Sequence, residues 1–147
     1  VLEATSWAAL SVTPKTYRRE RAACDAFVIE NDRYAATLVP DRGGRILEWI
    51  DKTSGRNVVY DNGYGGLLDD HGAFFEKPYK LEWTARGTEE CAATLTCDET
   101  AVVYRKTVRF FAGSPAIQVT YRRDGATHLM LFDQGTGEMI RQVMLTE

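Results

Sequence analysis

Apolar and polar residues alternate with a period of two along most of this chain. Tyr79, Leu81, Trp83 and Ala85 fall on one side of an extended segment, and Lys80, Glu82, Thr84 and Arg86 fall on the other. This is the pattern of a half-buried strand in an antiparallel sheet. It recurs in Glu90–Cys97, where Cys91, Ala93, Leu95 and Cys97 alternate with Ala92, Thr94 and Thr96. In Ala101–Phe111, Val102, Tyr104, Val108 and Phe110 define one face, while Arg105, Thr107 and Arg109 define the other. Ile117, Val119 and Tyr121 alternate in the next segment, and Thr127–Phe132 follows it. Turn residues separate these runs at Arg86-Gly87-Thr88, Asp98-Glu99, Gly113-Ser114-Pro115 and Asp124-Gly125, the last a strong hairpin signal.

The stretch Ala26–Tyr60 has the same character. Ala26–Glu30 and Arg33–Val39 flank the turn residues Asn31 and Asp32. A Pro40–Gly44 corner leads into Arg45–Ile50, and Asp51-Lys52-Thr53-Ser54-Gly55 reverses the chain again into Asn57–Tyr60. About eight or nine short strands with frequent turns predict an all-β, mostly antiparallel β-sandwich over residues 26–133. Residues 1–25 form an N-terminal arm with two readings. Thr13 as N-cap and Pro14 at the first helical position suit a short helix, and an extended lead-in is the rival. In the C-terminal arm, residues 134–147, the spacing of Met139, Ile140, Val143 and Met144 fits either a short helix or a final strand.

With 147 residues, 44% hydrophobic and 27% charged, the chain has the composition of one globular domain able to bury a core. No apolar run approaches the roughly 20 residues of a membrane helix, so no membrane partner is expected. The net charge of −3 includes no long basic block. Nucleic acid is disfavoured, since phosphate binding needs a positive patch and only the short Tyr17–Arg21 run offers one. Cys91 and Cys97 lie six apart in one expected strand, about 20 Å along it, and do not bridge each other. Buried thiols are one reading, and pairing of Cys24 with either is the other. Two histidines without a CxxC give zinc no ligand set, and no metal or cofactor is expected. Compartment is not readable from the sequence.

Candidate chemistry concentrates in Tyr60–Trp83. Tyr64 and Trp83 offer flat apolar faces, Asp69, Asp70, His71 and Glu76 offer hydrogen-bonding and acid/base groups, and the glycines between them allow turns. A saccharide site needs such platforms together with such carboxylates. Alternatively, the aromatics fill the core and the Gly/Asp residues make a long loop. Three consecutive residues, Asp69-Asp70-His71, reach one ligand only from a loop, and surface turn chemistry is the competing role. Arg42 and Arg45 flank Gly43-Gly44, but no helix follows to make a phosphate site. Ser6, Ser11, Ser54 and Ser114 lack a G-x-S-x-G context, so no nucleophile is identified.

Several motifs carry a resemblance. Ile29-Glu30-Asn31-Asp32, Val39-Pro40, Gly43-Gly44-Arg45-Ile46 and Asp51-Lys52-Thr53-Ser54-Gly55-Arg56 are similar to the first strands of the galactose mutarotase-like β-supersandwich. Val103–Val108 and Phe111-Ala112-Gly113-Ser114-Pro115-Ala116-Ile117 also resemble that superfamily, so the likeness spans roughly residues 26–123. It implies a truncated supersandwich, about the first half of a complete domain, associated with carbohydrate. Aldose epimerases of this fold use two histidines and a late glutamate. Here His71 falls in a loop and His128 in a late strand, with no alignable motif. The expected function is therefore a sugar-binding or ancillary domain related to glycoside hydrolases or lyases. Its candidate substrate-binding residues are Arg45, Tyr64, Asp69, Asp70, His71, Glu76 and Trp83, with Trp49 also near the surface. An epimerase or hydrolase completed by oligomerisation, and a ligand-free assembly module, are the alternatives. Unpaired sheet edges predict a homodimer, or at least an edge covered by the N-terminal or C-terminal arm.

Overall fold

The structure, a computed structural model, describes residues 10–19, 21–59, 66–68, 76–98, 103–123, 126–133 and 139–146, with side chains as far as Arg122. Among these residues there is no helix, and eleven strands form two antiparallel sheets. Sheet A runs in chain order through β1 (Ser11–Arg19), β2 (Ala22–Glu30), β3 (Tyr34–Val39), β4 (Arg45–Asp51) and β5 (Arg56–Asn57). Sheet B likewise takes β6 (Lys80–Arg86), β7 (Glu90–Cys97), β8 (Tyr104–Phe111), β9 (Ala116–Arg123), β10 (Ala126–Asp133) and β11 (Met139–Thr146) in sequence. Each sheet is a simple meander, and the two pack face to face as a sandwich.

The described parts of both terminal segments belong to the sheets. Ser11–Arg19 pairs with β2 over nine residues, from Ser11↔Glu30 to Arg19↔Ala22. A helix of that length is marginal on its own, and Val12, Thr13, Thr16 and Tyr17 favour a pleated surface. Pro14 is tolerated because β1 is an edge strand. Met139–Thr146 pairs with β10, with a register shift between Leu131 and Phe132.

The core lies between the sheets. Ile29, Ala36, Leu38, Ile46 and Trp49 from sheet A meet Ala93, Leu95, Val108, Phe110, Ile117 and Val119 from sheet B, all buried. A β-bulge adjusts the period in β4. Thr37 pairs with Glu48 and Leu38 with Ile46, so Leu47 is the extra residue. Ile46 and Trp49 both face the core as a result, and Trp49 packs on Tyr34 with ring centroids 4.1 Å apart. Burial pushes the Tyr34 phenol pKa well above its ordinary value, with a smaller push from Cys91. Cys91 and Cys97 are buried free thiols and Cys24 is a half-buried one.

Two motif turns have plain structural roles. The Asp51 carboxylate accepts from the Ser54 hydroxyl (2.7 Å) and the backbone N–H groups of Ser54 and Thr53. These bonds, the hydroxyl first, hold its pKa below the usual carboxylate value. Gly55, at φ 71°, closes the turn with its N–H on the Asp51 carbonyl. Asn31 reaches further. Its side-chain oxygen accepts from the N–H groups of Arg33 (2.8 Å) and Tyr34 (3.0 Å). Its amide nitrogen donates to the carbonyls of Phe111 (2.7 Å) and Ser114 (3.0 Å). One buried side chain thereby ties the β2–β3 turn of sheet A to the β8–β9 turn of sheet B.

Replacing Asn31 with Ala leaves two donors and two acceptors of a buried turn without partners. The variant is expected to lose about 2–4 kcal/mol of stability, read as a lower urea midpoint at unchanged slope. A loss under about 1 kcal/mol contradicts the clamp. Burial raises the Cys91 thiol to about 11, so the native chain should alkylate rapidly only at Cys24 at pH 8. All three cysteines should react in urea, and mass spectrometry counts the adducts.

Candidate functional site

The corner between β3 and β4 is built around a charge. Gly43 (φ 74°) and Gly44 (φ 56°) both take the left-handed conformation that other residues adopt only with strain. The Gly43 N–H donates to the Lys77 carbonyl (2.8 Å), and the Tyr79 N–H donates to the Pro40 carbonyl (2.9 Å), which pins the incoming chain against the corner. From the inward face of β8, Lys106 extends its ammonium under the corner. It donates to the carbonyls of Gly43 and Leu68 at 2.7 Å each and lies 4.7 Å from the centroid of the Tyr79 ring. Lys106 has 0% exposure. A Cβ on Gly44 would stand 3.0 Å from Lys106 Cε and 3.2 Å from Tyr79 Cγ.

Arg45 and Glu76, two of the residues singled out in the sequence, come together here. The Arg45 Nη2 group donates to Glu76 Oε1 at 2.7 Å, and its Nε donates to the Arg42 carbonyl at 2.9 Å. The arginine side chain is 0% exposed and the glutamate 41%. A guanidinium this deep needs a counter-charge and hydrogen-bond acceptors to remain folded, and the pair supplies them. Arg45 therefore presents no surface to a ligand.

Trp83 sits away from any open platform. It is half-buried against the core, edge-on to Phe27 of sheet A with centroids 5.6 Å apart, and the Arg86 guanidinium lies 5.6 Å from its ring centroid. Trp49, expected near the surface, is wholly buried, because the β4 bulge turns it inward. Tyr64, Asp69, Asp70 and His71 lie outside the described residues. Of the seven candidates, the structure unites Arg45 with Glu76 and gives Trp83 an inter-sheet packing role.

The outer face of sheet B carries a concavity the sequence reading passed over. It is a shallow, solvent-open trough of about 460 Å³ lined by Thr94, Arg105, Thr107, Thr120 and Arg122. Register explains its make-up. Thr94 pairs with Thr107 and Thr107 with Thr120, which aligns three threonines across β7, β8 and β9. The Thr94 and Thr107 hydroxyls are 3.1 Å apart. In the adjacent row Thr96 pairs with Arg105 and Arg105 with Arg122. Hydroxyls repeating at the strand spacing of about 4.8 Å, beside two guanidinium groups, can hydrogen-bond a polyhydroxylated ligand. Threonines and arginines on the polar faces of consecutive strands were visible in the sequence; their alignment was not. A second hollow of about 390 Å³ borders Lys15 and Asp25 on the β1–β2 hairpin, where Lys15 already pairs with Glu48 at 3.1 Å.

Lys106→Met keeps most of the volume but leaves the Gly43 and Leu68 carbonyls without this donor. A loss of about 2–4 kcal/mol is expected. Gly44→Ala adds left-handed strain of about 1–2 kcal/mol as well as the contact with Lys106. Urea denaturation of both variants measures these losses. Wild-type stability in either variant would show that the corner is not built around the lysine.

No family model matches the chain, and no curated protein matches it. Among solved structures it is similar to a TPR-domain containing protein from Parabacteroides distasonis ATCC 8503, with a TM-score of 0.57 and 15% identity. The match covers 83% of this chain and 29% of that one, so the chain spans under a third of its length. TPR units are helix pairs, whereas the matched chain here is all-β among its described residues. The likeness is one of fold alone.

Proposed function

We propose that this chain is a carbohydrate-associated β-sandwich of the galactose mutarotase-like kind, acting as a saccharide-binding or ancillary domain without chemistry of its own. The observation that carries this reading is the trough of Thr94, Arg105, Thr107, Thr120 and Arg122. Its hydroxyls both donate and accept, and its guanidinium groups donate in a fixed fork, as sugar hydroxyls and ring substituents require. The resemblance of the Ile29–Asp32, Gly43–Ile46 and Asp51–Arg56 motifs to carbohydrate-active sandwiches supports the ligand class. None of the five lining residues is an acid, base or activated nucleophile near neutral pH, which favours binding over catalysis.

The binding surface proposed here lies away from the Arg45–Glu76 corner, where Glu76 pairs with the buried Arg45. A homodimer partner is expected at sheet B. Sheet A ends in β1, which carries Pro14, and in the two-residue β5, both poor templates for strand addition.

Isothermal titration calorimetry against a panel of neutral and acidic oligosaccharides tests the reading. Binding of at least one of them is expected, weakened about 3- to 10-fold by Thr107→Val, which removes one hydroxyl (about 1 kcal/mol) from the middle of the row. No binding of any saccharide at millimolar concentration would overturn it and favour a structural assembly module.

A further inference from the structure

We infer that the trough selects saccharides bearing a carboxylate, with Arg105 as the ionic anchor. This rests on the saccharide reading above and narrows its ligand class. Two other cations of sheet B have acid partners: Lys80 pairs with Asp98 at 2.8 Å, and Arg109 with Glu90 at 3.2 Å. Among the described residues no acid pairs with Arg105, and no acid lines the trough. Instead the register sets Arg105 directly opposite Arg122. A bound carboxylate would give Arg105 the counter-charge that no acid of the described residues supplies.

The ligand's shape follows from the neighbours. A planar carboxylate matches the guanidinium fork with two parallel hydrogen bonds. The threonine row beside it, two residues along the strands, then meets ring hydroxyls on the same sugar or the next. A free inorganic anion would engage the arginines and leave the threonine row unused. No aromatic side chain lines the trough among the described residues, so a neutral sugar gains no stacking from them and the charge contact supplies most of the affinity. Contacts at an exposed surface of this kind are screened by salt, which makes the recognition ionic-strength dependent.

The test compares tetragalacturonate with its fully methyl-esterified form by calorimetry, using the wild-type chain and Arg105→Gln. The expected result is at least 10-fold tighter binding of the free acid at low salt, a preference that shrinks in 0.5 M sodium chloride. Arg105→Gln should abolish the preference while binding of the ester persists. Its melting temperature should be unchanged, since Arg105 is exposed and no ion pair is lost, so a lost preference cannot be ascribed to misfolding. Equal binding of acid and ester, or a preference that survives Arg105→Gln, would overturn this inference and leave saccharide binding standing. Silence toward both forms, with a neutral oligosaccharide bound, would do the same. Binding of sodium sulfate alone, with no saccharide bound, would overturn both this inference and the saccharide reading.

Discussion

An ammonium group sealed between two β-sheets is tolerable only if the groups around it accept its hydrogen bonds and offset its charge. The carbonyls of Gly43 and Leu68 and the face of Tyr79 are among the groups that do so for Lys106. Much of the molecule follows from this arrangement. The corner must bring a carbonyl over the lysine, so Gly43 and Gly44 adopt left-handed conformations, and a Cβ on Gly44 would crowd Lys106, Leu95 and Tyr79. The chain entering sheet B must lie against the same corner, which fixes Lys77 and Tyr79. At the other end of β3, Asn31 performs the equivalent task with a neutral amide, joining one turn from each sheet. Two polar clamps, one at each end of a single strand, thus set how the sheets face each other. Apolar packing between them is non-directional and supplies the bulk of the stability.

These clamps give the motif residues structural work. Asn31, Gly43-Gly44, Arg45, Asp51 and the Gly113-Ser114-Pro115 turn each satisfy a local backbone or burial requirement. Arg45 is the clearest case, because a solvent-exposed arginine beside glycines would suggest an anion site, and this one is sealed on Glu76. The surface proposed to take a ligand lies instead on the outer face of sheet B, where no motif marked it.

Legibility in the sequence divided along the same physical line. Period-two alternation located β6 through β9 closely, because one face of each is buried and a one-residue slip would invert it. The N-terminal strand was ambiguous, since Thr13-Pro14 satisfies helix-start rules as well as an edge strand does. The Leu47 bulge was invisible, as a single extra residue leaves no compositional trace, and it misplaced Trp49. Lys106 was readable in principle: it occupies an inward position between Tyr104 and Val108, where a lysine demands a reason. The trough was not. Thr94, Thr107 and Thr120 align only because the turns between β7, β8 and β9 set the register, and no single segment contains that information.

The division between structural corner and binding face is tested most directly by following backbone amide resonances in ¹⁵N-labelled protein as an oligouronate is titrated. Shifts confined to Thr94, Arg105, Thr107, Thr120, Arg122 and their strand neighbours are the expected result, with Gly43, Gly44, Arg45 and Glu76 unmoved. Shifts centred on Gly43–Arg45 and Glu76, or no localised shifts at saturating ligand, would contradict it.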